Sequence, residues 1–398
     1  MRACWLLFAF VGVCHLSNGQ DSLQVVETPD STYFSQELSD TVEVDTLTKE
    51  KLVLVFAGDI MGHDTQIDGA YIDSSNSYNY EPTFRYIKDY IESADIAIGN
   101  LEVTLAGPPF KGYPQFSSPD ALAAEAKKAG FDILVTANNH SADRGSKGID
   151  RTIKVLDSLE IVHAGTFISE EDRMLRYPLI IEKKGVKIAL LNYTYGTNGI
   201  VVKPPYIVNK IDTAQIARDI KKAKLASPDY IISVMHWGKE YERSENRKQQ
   251  VLTRFQLDKG VDAVIGSHPH VVQPVTLEPC SLTDTNLKCP VFYSMGNFVS
   301  NQRSQYKDGG IMAELHISFE GDSVKFDSLA YMPYWVYRKK EAEEKYTFHV
   351  LPVAKYELNP ELVNLNDNDL YRLNRFKRDT RAHLIGVQES DFYTNMKE

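Results

Sequence analysis

LVLVFAGDIMGHD, residues 52–64, is the stretch of this 398-residue chain that decides its fold. Its opening run of apolar residues is typical of a β-strand that is buried on both faces of a parallel sheet. Asp59 follows directly after a glycine, at the point where the strand gives way to a loop. More runs of the same kind are found further along the chain. They are DIAIGNLE (95–102), DILVTANNH (132–140), KIALLNYTYG (187–196), YIISVMHWG (230–238), AVIGSHPH (263–270) and VFYSMGNF (291–298).

Amphipathic segments between these runs predict helices over residues 82–93, 118–130, 146–160, 212–226 and 243–259. The second helix has Ser118 as a candidate N-cap and ends at Gly130. Alternating strands and helices predict an α/β sheet with helices on its faces. Ligands of such sheets bind beyond the carboxyl ends of the strands, which is where Asp59 lies. From Gly309 onward the pattern predicts a β-hairpin, with its turn at residues 320–322, and then peripheral helices.

The composition limits the kinds of partner that this chain can bind. With 43% hydrophobic and 25% charged residues, it can build a sizeable core. Its formal net charge of −10 argues against nucleic acid, because contacts with phosphates need a basic face. A small anionic substrate is still compatible with this charge, since bound metal ions can invert the potential locally.

The first 19 residues predict a secretory signal, with a short apolar core and small residues before a cleavage point that leaves Gln20 first. Residues 20–50 are polar and acidic and predict a flexible leader. We therefore expect an exported protein of the periplasm or cell envelope, in contact with the membrane at most peripherally. A lipid anchor at Cys14 is an alternative to cleavage before Gln20, but the preceding Val13 disfavours it. A second alternative is that the start of the chain is wrongly assigned and the segment is not a signal.

Cys280 and Cys289 are the two cysteines that lie outside this signal. They flank a polar loop between two apolar runs, and exported proteins live in an oxidising compartment. We therefore expect a disulfide that closes a hairpin. A metal site made of thiolates is the alternative, and it lacks the second cysteine pair that it would need.

Metal-binding side chains recur at the ends of the predicted strands. The carboxylate of Asp59 either caps the next segment or binds a hard metal ion, and His63 joins that ion if the loop turns back. Glu102 is either a solvated surface residue or an acid that bridges two metals with one oxygen on each. Asn139 offers an amide oxygen as a ligand, and Asn100 is expected behind the ligands. Each of these residues is ambiguous alone, but their recurrence at strand ends favours a metal centre.

His140 and Asp143 predict an acid–base pair beside that centre. His140 follows Asn139 directly, and in this interpretation its imidazole faces the substrate rather than a metal. Asp143 lies three residues further on and would fix the tautomer of the imidazole, as an acid or base requires.

His268 and His270 belong to a His-Pro-His triplet, whose alternate side chains share one face if the segment is extended. Two such imidazoles suit two adjacent metals, and His236 is either a further ligand or a satisfied core histidine. Mixed nitrogen and oxygen ligands suit Zn, Mn or Fe. Two such divalent ions would make a bridging hydroxide a nucleophile near neutral pH and hold a phosphoryl oxygen. The sequence contains neither a Gly-rich phosphate loop nor a GxSxG elbow, so it does not support nucleotide binding or serine-hydrolase chemistry.

Six motifs follow one another within residues 50–310, namely GDIM, GNLEVTL, ANNHSADRG, MHWGKEY, GSHPHVVQP and YSMGNF. In this order they resemble the CapA-type capsule synthesis proteins, also called the poly-γ-glutamate biosynthesis family, which is similar to the calcineurin-like metallophosphoesterases. The resemblance implies an α/β fold of four layers, an αββα sandwich in which two sheets pack face to face between helices. It also implies a CapA-like domain over residues 51–310 and a small C-terminal extension, a hairpin with helices, over residues 311–398.

The resemblance further implies roles for individual residues. In the family pattern Asp59 is the opening acid, Glu102 the bridging acid and Asn139 the amide ligand. His236 and His268 correspond to ligands of one metal, and His270 corresponds to a ligand of the other. His140 corresponds to the histidine that protonates the leaving group. The chain departs from the pattern in two places. The opening Asp-x-His is absent, because His63 lies four residues after Asp59, and the bridging acid is Glu rather than Asp.

Two functions follow from the sequence. The first is an exported hydrolase with two divalent metal ions that cleaves a phosphoester or a related bond in the envelope. The second is a non-catalytic assembly factor that holds an envelope polymer in the same cleft, and the missing Asp-x-His motivates it. The expected partners are an envelope polymer such as poly-γ-glutamate or a small anionic substrate, together with capsule-synthesis machinery.

Overall fold

The computed structural model describes residues 24–25, 50–282, 285–321, 323–341 and 344–396. The expected signal over residues 1–19, the candidate anchor Cys14 and most of the expected leader lie outside the described residues. Within the leader, Gln24 and Val25 form a two-residue strand that pairs with Ile181 and Glu182.

Two mixed β-sheets form the centre of the fold. The first sheet runs, in spatial order, through β19 (Tyr346–Pro352), β18 (Ser323–Lys340), β17 (Gly309–Glu320), β2 (Glu50–Ile60), β5 (Ile96–Leu101), β6 (Ile133–Val135) and β7 (Val162–Ala164), with β16 (Asn297–Val299) paired to β2. The second sheet runs through β1 (Gln24–Val25), β9 (Leu179–Lys183), β10 (Val186–Thr194), β12 (Tyr230–His236), β13 (Ala263–Ser267), β15 (Lys288–Phe292) and β14 (Val275–Pro279). Two small ribbons pair β3 (Tyr71–Ile72) with β4 (Ser77–Tyr78) and β8 (Thr166–Phe167) with β11 (Ile207–Val208).

Helices connect and cover these sheets. In chain order they are α1 (Asp64–Ala70), α2 (Glu81–Phe84), α3 (Lys88–Glu92), α4 (Ala121–Lys128), α5 (Gly145–Ser158), α6 (Glu170–Arg176), α7 (Thr213–Leu225), α8 (Arg247–Leu257), α9 (Val353–Leu358), α10 (Asp367–His383) and α11 (Phe392–Asn395). Short 3-10 turns follow β3 at Asp73–Ser75 and α9 at Pro360–Leu362. Among the described residues, none of these helices is both long and apolar enough to cross a bilayer.

Alternating residues of β2 show how the layers are built. Phe56 is buried in the same apolar cluster as Leu190 of β10 in the second sheet, so the two sheets share a core. Val55, which points to the opposite face of β2, is buried with Phe84 of α2 and Leu122 of α4. Fully burying such side chains stabilises the fold by about 1.5–3 kcal/mol each. The predicted α/β class and four-layer αββα sandwich are therefore confirmed.

Three local predictions need correction. The run at residues 291–298 is not one strand, because β15 ends at Phe292 and the left-handed Gly296, with a φ of 76°, breaks the chain before β16. The predicted helix over residues 82–93 is divided into α2 and α3. Ser118 is not the cap of α4, because its backbone N–H donates to Thr104 and the N-cap position falls at Asp120.

The predicted C-terminal hairpin is present and completes the first sheet. β17 and β18 are paired up to Glu320 and Ser323, which places the turn where the sequence predicts it. β17 also pairs along its length with β2, so this hairpin continues the sheet that carries Asp59. The domain boundary at residue 310 stays a prediction.

The predicted disulfide between Cys280 and Cys289 is confirmed. Their Cα atoms are 5.0 Å apart, and the bond closes the antiparallel hairpin of β14 and β15. A thiolate metal site at these two cysteines is therefore excluded, since their sulfurs are bonded to each other.

Candidate metal centre

The carboxyl ends of strands from both sheets meet in one place. Asp59 of β2 is paired with Asn100 of the parallel β5, and Glu102 follows directly after β5. In the second sheet His236 ends β12 and is paired with Ser267, the last residue of the parallel β13. This convergence is the expected consequence of parallel strands that end at a common edge.

His268 and His270 reach this place through a bend rather than an extended segment. Their φ angles are 97° and 58°, in the left-handed region that non-glycine residues rarely adopt. The expectation of an extended triplet is therefore wrong, although the two rings still lie together, with centroids 5.9 Å apart. Backbone strain of this kind costs about 1–3 kcal/mol per residue and persists where the surrounding structure enforces it.

Two groups of buried side chains at this place have a metal-binding arrangement. Glu102, His236 and His268 form the first group, and Asp59, Glu102 and His270 form the second, with the ligand atoms of each group within 4.8 Å of one another. All five residues are at most 3% exposed. Because Glu102 belongs to both groups, it lies between the positions that two ions would take.

Glu102 provides the test of whether these residues fit a metal. Both of its carboxylate oxygens are buried without a hydrogen-bond partner in the described residues. Burial, followed by the charge of Asp59, raises the pKa of Glu102 well above its usual value. Nε2 of His236 and Nε2 of His270 lie 3.6 and 3.8 Å from Oε1 of Glu102, too far for hydrogen bonds. A buried carboxylate without hydrogen bonds costs several kcal/mol, and a coordinated divalent cation would remove that cost. The donor set of carboxylate and imidazole groups therefore fits Zn, Mn or Fe.

The other candidate ligands, Asp59, His236 and His268, have pKa values that favour their metal-binding forms. Asp59 accepts hydrogen bonds from Nδ2 of Asn100 at 2.8 Å and faces Nδ1 of His270 at 3.0 Å. Burial alone would raise the pKa of Asp59, but the contacts with His270, His236 and Glu102 together outweigh it and hold this pKa below its usual value. Burial lowers the pKa of His268 to about 3 and that of His236 well below the usual value. Neutral imidazoles and an ionised carboxylate are the forms that bind metals.

Asn139 presents its amide oxygen to this centre. Its Oδ1 lies 2.7 Å from Nε2 of His236, while its Nδ2 donates to Oδ1 of Asn198 at 3.3 Å. Asn198 therefore supports the orientation in which the carbonyl oxygen faces the candidate ligands. No sequence pattern singles Asn198 out, because it lies in the irregular loop after β10.

Asn100 contacts two of the candidate ligands, Asp59 and His236. Besides Asp59, its Nδ2 faces Oγ of Ser267 at 3.3 Å. Its Oδ1 accepts a hydrogen bond from Nδ2 of Asn138 at 3.2 Å. Asn138 and Ser267 thus fix the amide that holds Asp59, and the sequence alone does not assign them this role.

His140 and Asp143 are brought together beside the metal-binding groups. Nδ1 of His140 is 2.8 Å from Oδ2 of Asp143, and both residues are buried. The same Oδ2 accepts the backbone N–H of Phe116 at 2.6 Å. A carboxylate only accepts hydrogen bonds, so the proton of His140 sits on Nδ1 and leaves Nε2 to exchange protons. The ring of Phe116 packs edge-on against His140, with centroids 4.6 Å apart.

His63 is not brought into either group. Its Nδ1 is 3.0 Å from Oε1 of Gln66 and 3.3 Å from the backbone nitrogen of Asn301. The chain enters α1 at Asp64, so the loop continues into a helix instead of turning back toward Asp59. Burial lowers the pKa of His63 to about 4, which keeps the ring neutral.

Glu240 is a candidate site residue that no sequence pattern singles out. Its carboxylate lies within 4.8 Å of the ring nitrogens of His268 and His270, and the residue is exposed to solvent. It belongs to the charged segment KEYERSE, where a solvated surface carboxylate is the usual expectation. Two half-exposed rings stand at the same opening: Tyr195 is 4.5 Å from the ring of His268, and Tyr241 is 6.2 Å from that of His270.

The chain is similar to proteins of capsule synthesis. Residues 53–302 match the family described as bacterial capsule synthesis protein PGA_cap. The capsule biosynthesis protein CapA of Bacillus anthracis is 27% identical over 287 residues, which are 69% of this chain and 66% of that protein. The PGA biosynthesis protein CapA of Bacillus subtilis (strain 168) is 28% identical over 294 residues, which are 71% of this chain and 72% of that protein. This chain thus spans just under two thirds of the length of the B. anthracis protein.

A solved structure is also similar. Haemophilus influenzae NAD nucleotidase (NadN) has a TM-score of 0.47 and 12% sequence identity, over 86% of this chain and 65% of that one. The assignment of the four-layer sandwich rests on the two sheets and the helices that cover them.

Proposed function

The chain belongs to the bacterial capsule synthesis protein family PGA_cap, and from that premise we propose that it is an exported metal-dependent hydrolase with two divalent ions that acts in the synthesis of a capsule polymer. The observation that carries this proposal is the position of Glu102. It is shared by two groups of candidate ligands, and both of its oxygens are buried and without a hydrogen-bond partner in the described residues.

The candidate ligands divide between two ions. His236, His268 and Glu102 would hold the first, together with the amide oxygen of Asn139. Asp59, His270 and Glu102 would hold the second. Ions at these positions would supply a hydroxide nucleophile near neutral pH and neutralise negative charge on a bound phosphoryl group.

The remaining chemistry belongs to the chain itself. His140, held at Nδ1 by Asp143, offers Nε2 as the atom that gives a proton to the leaving group. Phe116 covers the imidazole and fixes the carboxylate through its backbone N–H, so the pair keeps one orientation. Burial of the ligands excludes bulk water, which strengthens each electrostatic interaction in the centre.

The proposed substrate is a phosphoester or a related bond in an anionic envelope polymer, for which poly-γ-glutamate biosynthesis gives the setting. The matching relatives support this choice, since one is named a capsule biosynthesis protein and the other a PGA biosynthesis protein. The disulfide between Cys280 and Cys289 is compatible with export to an oxidising compartment. Capsule-synthesis machinery is the proposed partner.

A non-catalytic assembly factor on the same fold is the second candidate. His63 favours it, because its contacts with Gln66 and Asn301 keep it out of the ligand groups and leave the second ion with fewer protein ligands. Such a factor would bind polymer in the cleft without cleaving it.

Two variants of the mature chain separate these functions. After loading with Mn or Zn, the wild type is expected to contain about two ions per chain and to cleave a generic aryl phosphodiester. His268→Ala is expected to lose metal and turnover together, whereas His140→Ala keeps its metal and loses turnover. Elemental analysis beside the assay distinguishes the two cases. Two results would favour the assembly factor over the hydrolase. One is wild-type protein that stays metal-free and inactive after loading, and the other is polymer binding that survives both substitutions.

A further inference from the structure

The motif YSMGNF supplies no candidate metal ligand, but its Asn297 joins the metal centre to a neighbouring loop. Asn297 is fully buried on β16, where it is paired with Asp59. Its Nδ2 donates to the carbonyl oxygen of Lys307 at 2.9 Å and lies 3.4 Å from that of His270. One side chain therefore connects the loop of residues 300–308 to the base of the centre.

The neighbours of Lys307 hold this loop in place from both sides. The guanidinium carbon of Arg243 lies 4.2 Å from the centre of the Tyr306 ring. On the other side Asp308 is buried and accepts a hydrogen bond from Nε1 of Trp335 at 3.2 Å. The backbone of Lys307 is thus fixed, and its side chain starts from a defined point beside the opening of the metal centre.

The ammonium group of Lys307 lies over one of the tyrosines at this opening. Its Nζ is 3.9 Å from the centre of the Tyr241 ring, which is 6.2 Å from the ring of His270. The two distances add to 10.1 Å, so the ammonium lies no further than that from His270. Tyr241 is itself held by its N–H, which donates to the carbonyl oxygen of Pro269 at 2.8 Å.

The ammonium of Lys307 contacts an aromatic ring in the described part of the chain, at 3.9 Å from the centre of the Tyr241 ring. Burial and then the charge of Glu240 raise the pKa of Tyr241 to about 12, so Glu240 also lies near this ring. A fixed ammonium beside a metal centre is a suitable point charge for a phosphate or a carboxylate.

The ordinary explanation is a surface lysine whose stem packs on an aromatic ring. Lys259 gives that case in the same chain, since its Nζ lies 5.0 Å from the centre of the Phe255 ring. Lys259 is exposed in the turn after α8 and belongs to none of the candidate ligand groups of the described residues. Lys307 differs because it is half-buried, stands on an anchored loop and lies over a ring that borders His270.

We propose that Lys307 binds a second anionic group of the substrate, about one chain unit from the bond held at the metal centre. The substrate class is then a chain of repeating anions, either linked phosphodiesters or carboxylates, and not a monoester with a neutral leaving group. The inference rests on the proposed function, because it takes the metal centre as the place where the scissile bond is held.

Calorimetric titration of the metal-loaded mature chain tests this inference with three probes: orthophosphate, tripolyphosphate and a short γ-linked glutamate oligomer. Lys307→Met keeps the length of the stem and removes the charge. It is expected to weaken the affinity for at least one of the two longer probes about five- to tenfold more than that for orthophosphate. Lys307→Arg should restore the affinity, and Lys259→Met should change none of the three. The salt dependence of binding should also be less steep in Lys307→Met.

The longer probe with the larger loss identifies the anion that repeats in the substrate. Equal losses for orthophosphate and both longer probes, or equal effects of Lys307→Met and Lys259→Met, would overturn the proposal. Metal content and turnover of the wild type are measured on the same samples. The wild type could lack metal and turnover and still bind a longer probe through Lys307. That result would refute the proposed hydrolase function but support the anion-binding role of Lys307.

Discussion

Replacing Glu102 by glutamine should stabilise the metal-free protein and remove most of the stabilisation that metals provide. The carboxylate is fully buried, and neither oxygen has a hydrogen-bond partner among the described residues. Burial and the charge of Asp59 raise the pKa of Glu102 well above its usual value of 4.5. A carboxyl group with a raised folded pKa binds protons more tightly in the folded state, so the metal-free protein loses stability as the pH rises above 4.5.

Linkage gives the size of both effects, the loss of stability with rising pH and the stabilisation by bound metal. The metal-free wild type should lose about 1.4 kcal/mol per pH unit above the unfolded pKa until the folded pKa is reached, and Glu102→Gln should lack this loss. A metal present at about 1,000 times its dissociation constant stabilises the fold by about 4 kcal/mol per site. With an unfolding entropy of about 2.1 cal/mol/K per residue, roughly 350 folded residues give a shift of about 6 °C for each such site.

Thermal unfolding with and without a chelator, from pH 4.5 to 8, measures both effects in the wild type and in Glu102→Gln. The account predicts that the chelator lowers the midpoint of the wild type by several degrees and that of Glu102→Gln far less. In chelator, the variant should be the more stable of the two at pH 8, and the difference should vanish near pH 4.5. The reasoning is refuted if the variant is less stable than the wild type in chelator at pH 8, because Glu102 would then be satisfied without a metal.

Three further predictions concern single elements. Asp143→Asn removes the charge and replaces one of the two acceptor oxygens beside Nδ1 of His140 by an NH2 donor, so kcat should fall about 10²-fold or more while elemental analysis finds unchanged metal content; a loss of metal would contradict this role. Replacing both Cys280 and Cys289 by serine opens a loop with a sequence separation of 9 and should lower the free energy of unfolding in urea by about 2–3 kcal/mol, and no change would contradict the account. His63→Ala should leave the metal content unchanged, because the imidazole contacts Gln66 and Asn301, and a loss of one ion would restore it as a ligand.

Much of the candidate centre could be predicted from the sequence because strand ends are easy to recognise. A continuous apolar run that stops at a polar side chain marks both the strand and its carboxyl end, as at Asp59 and His236. Parallel strands that share an edge then bring such side chains together without knowledge of the loops. The disulfide was predictable for a similar reason, since two cysteines at the ends of a hairpin are forced close.

The residues that escaped prediction depend on the conformation of loops. His63 was expected at the metal because only α1, which starts at Asp64, keeps the loop from turning back. Glu240 and Lys307 lie in charged or irregular segments, where a solvated side chain is the usual outcome, and only the packing of these loops brings them to the opening. The left-handed conformations of His268 and His270 likewise have no signature in the triplet itself.

The central claim is that Glu102 lies between two metal ions. A crystal structure of the mature chain grown with Mn, with anomalous diffraction collected at the Mn absorption edge, tests it most directly. The account predicts two anomalous peaks roughly 3.5–4 Å apart, one on the side of His236 and His268 and the other on the side of Asp59 and His270. A single peak away from Glu102, or none in protein that is otherwise well ordered, would contradict it.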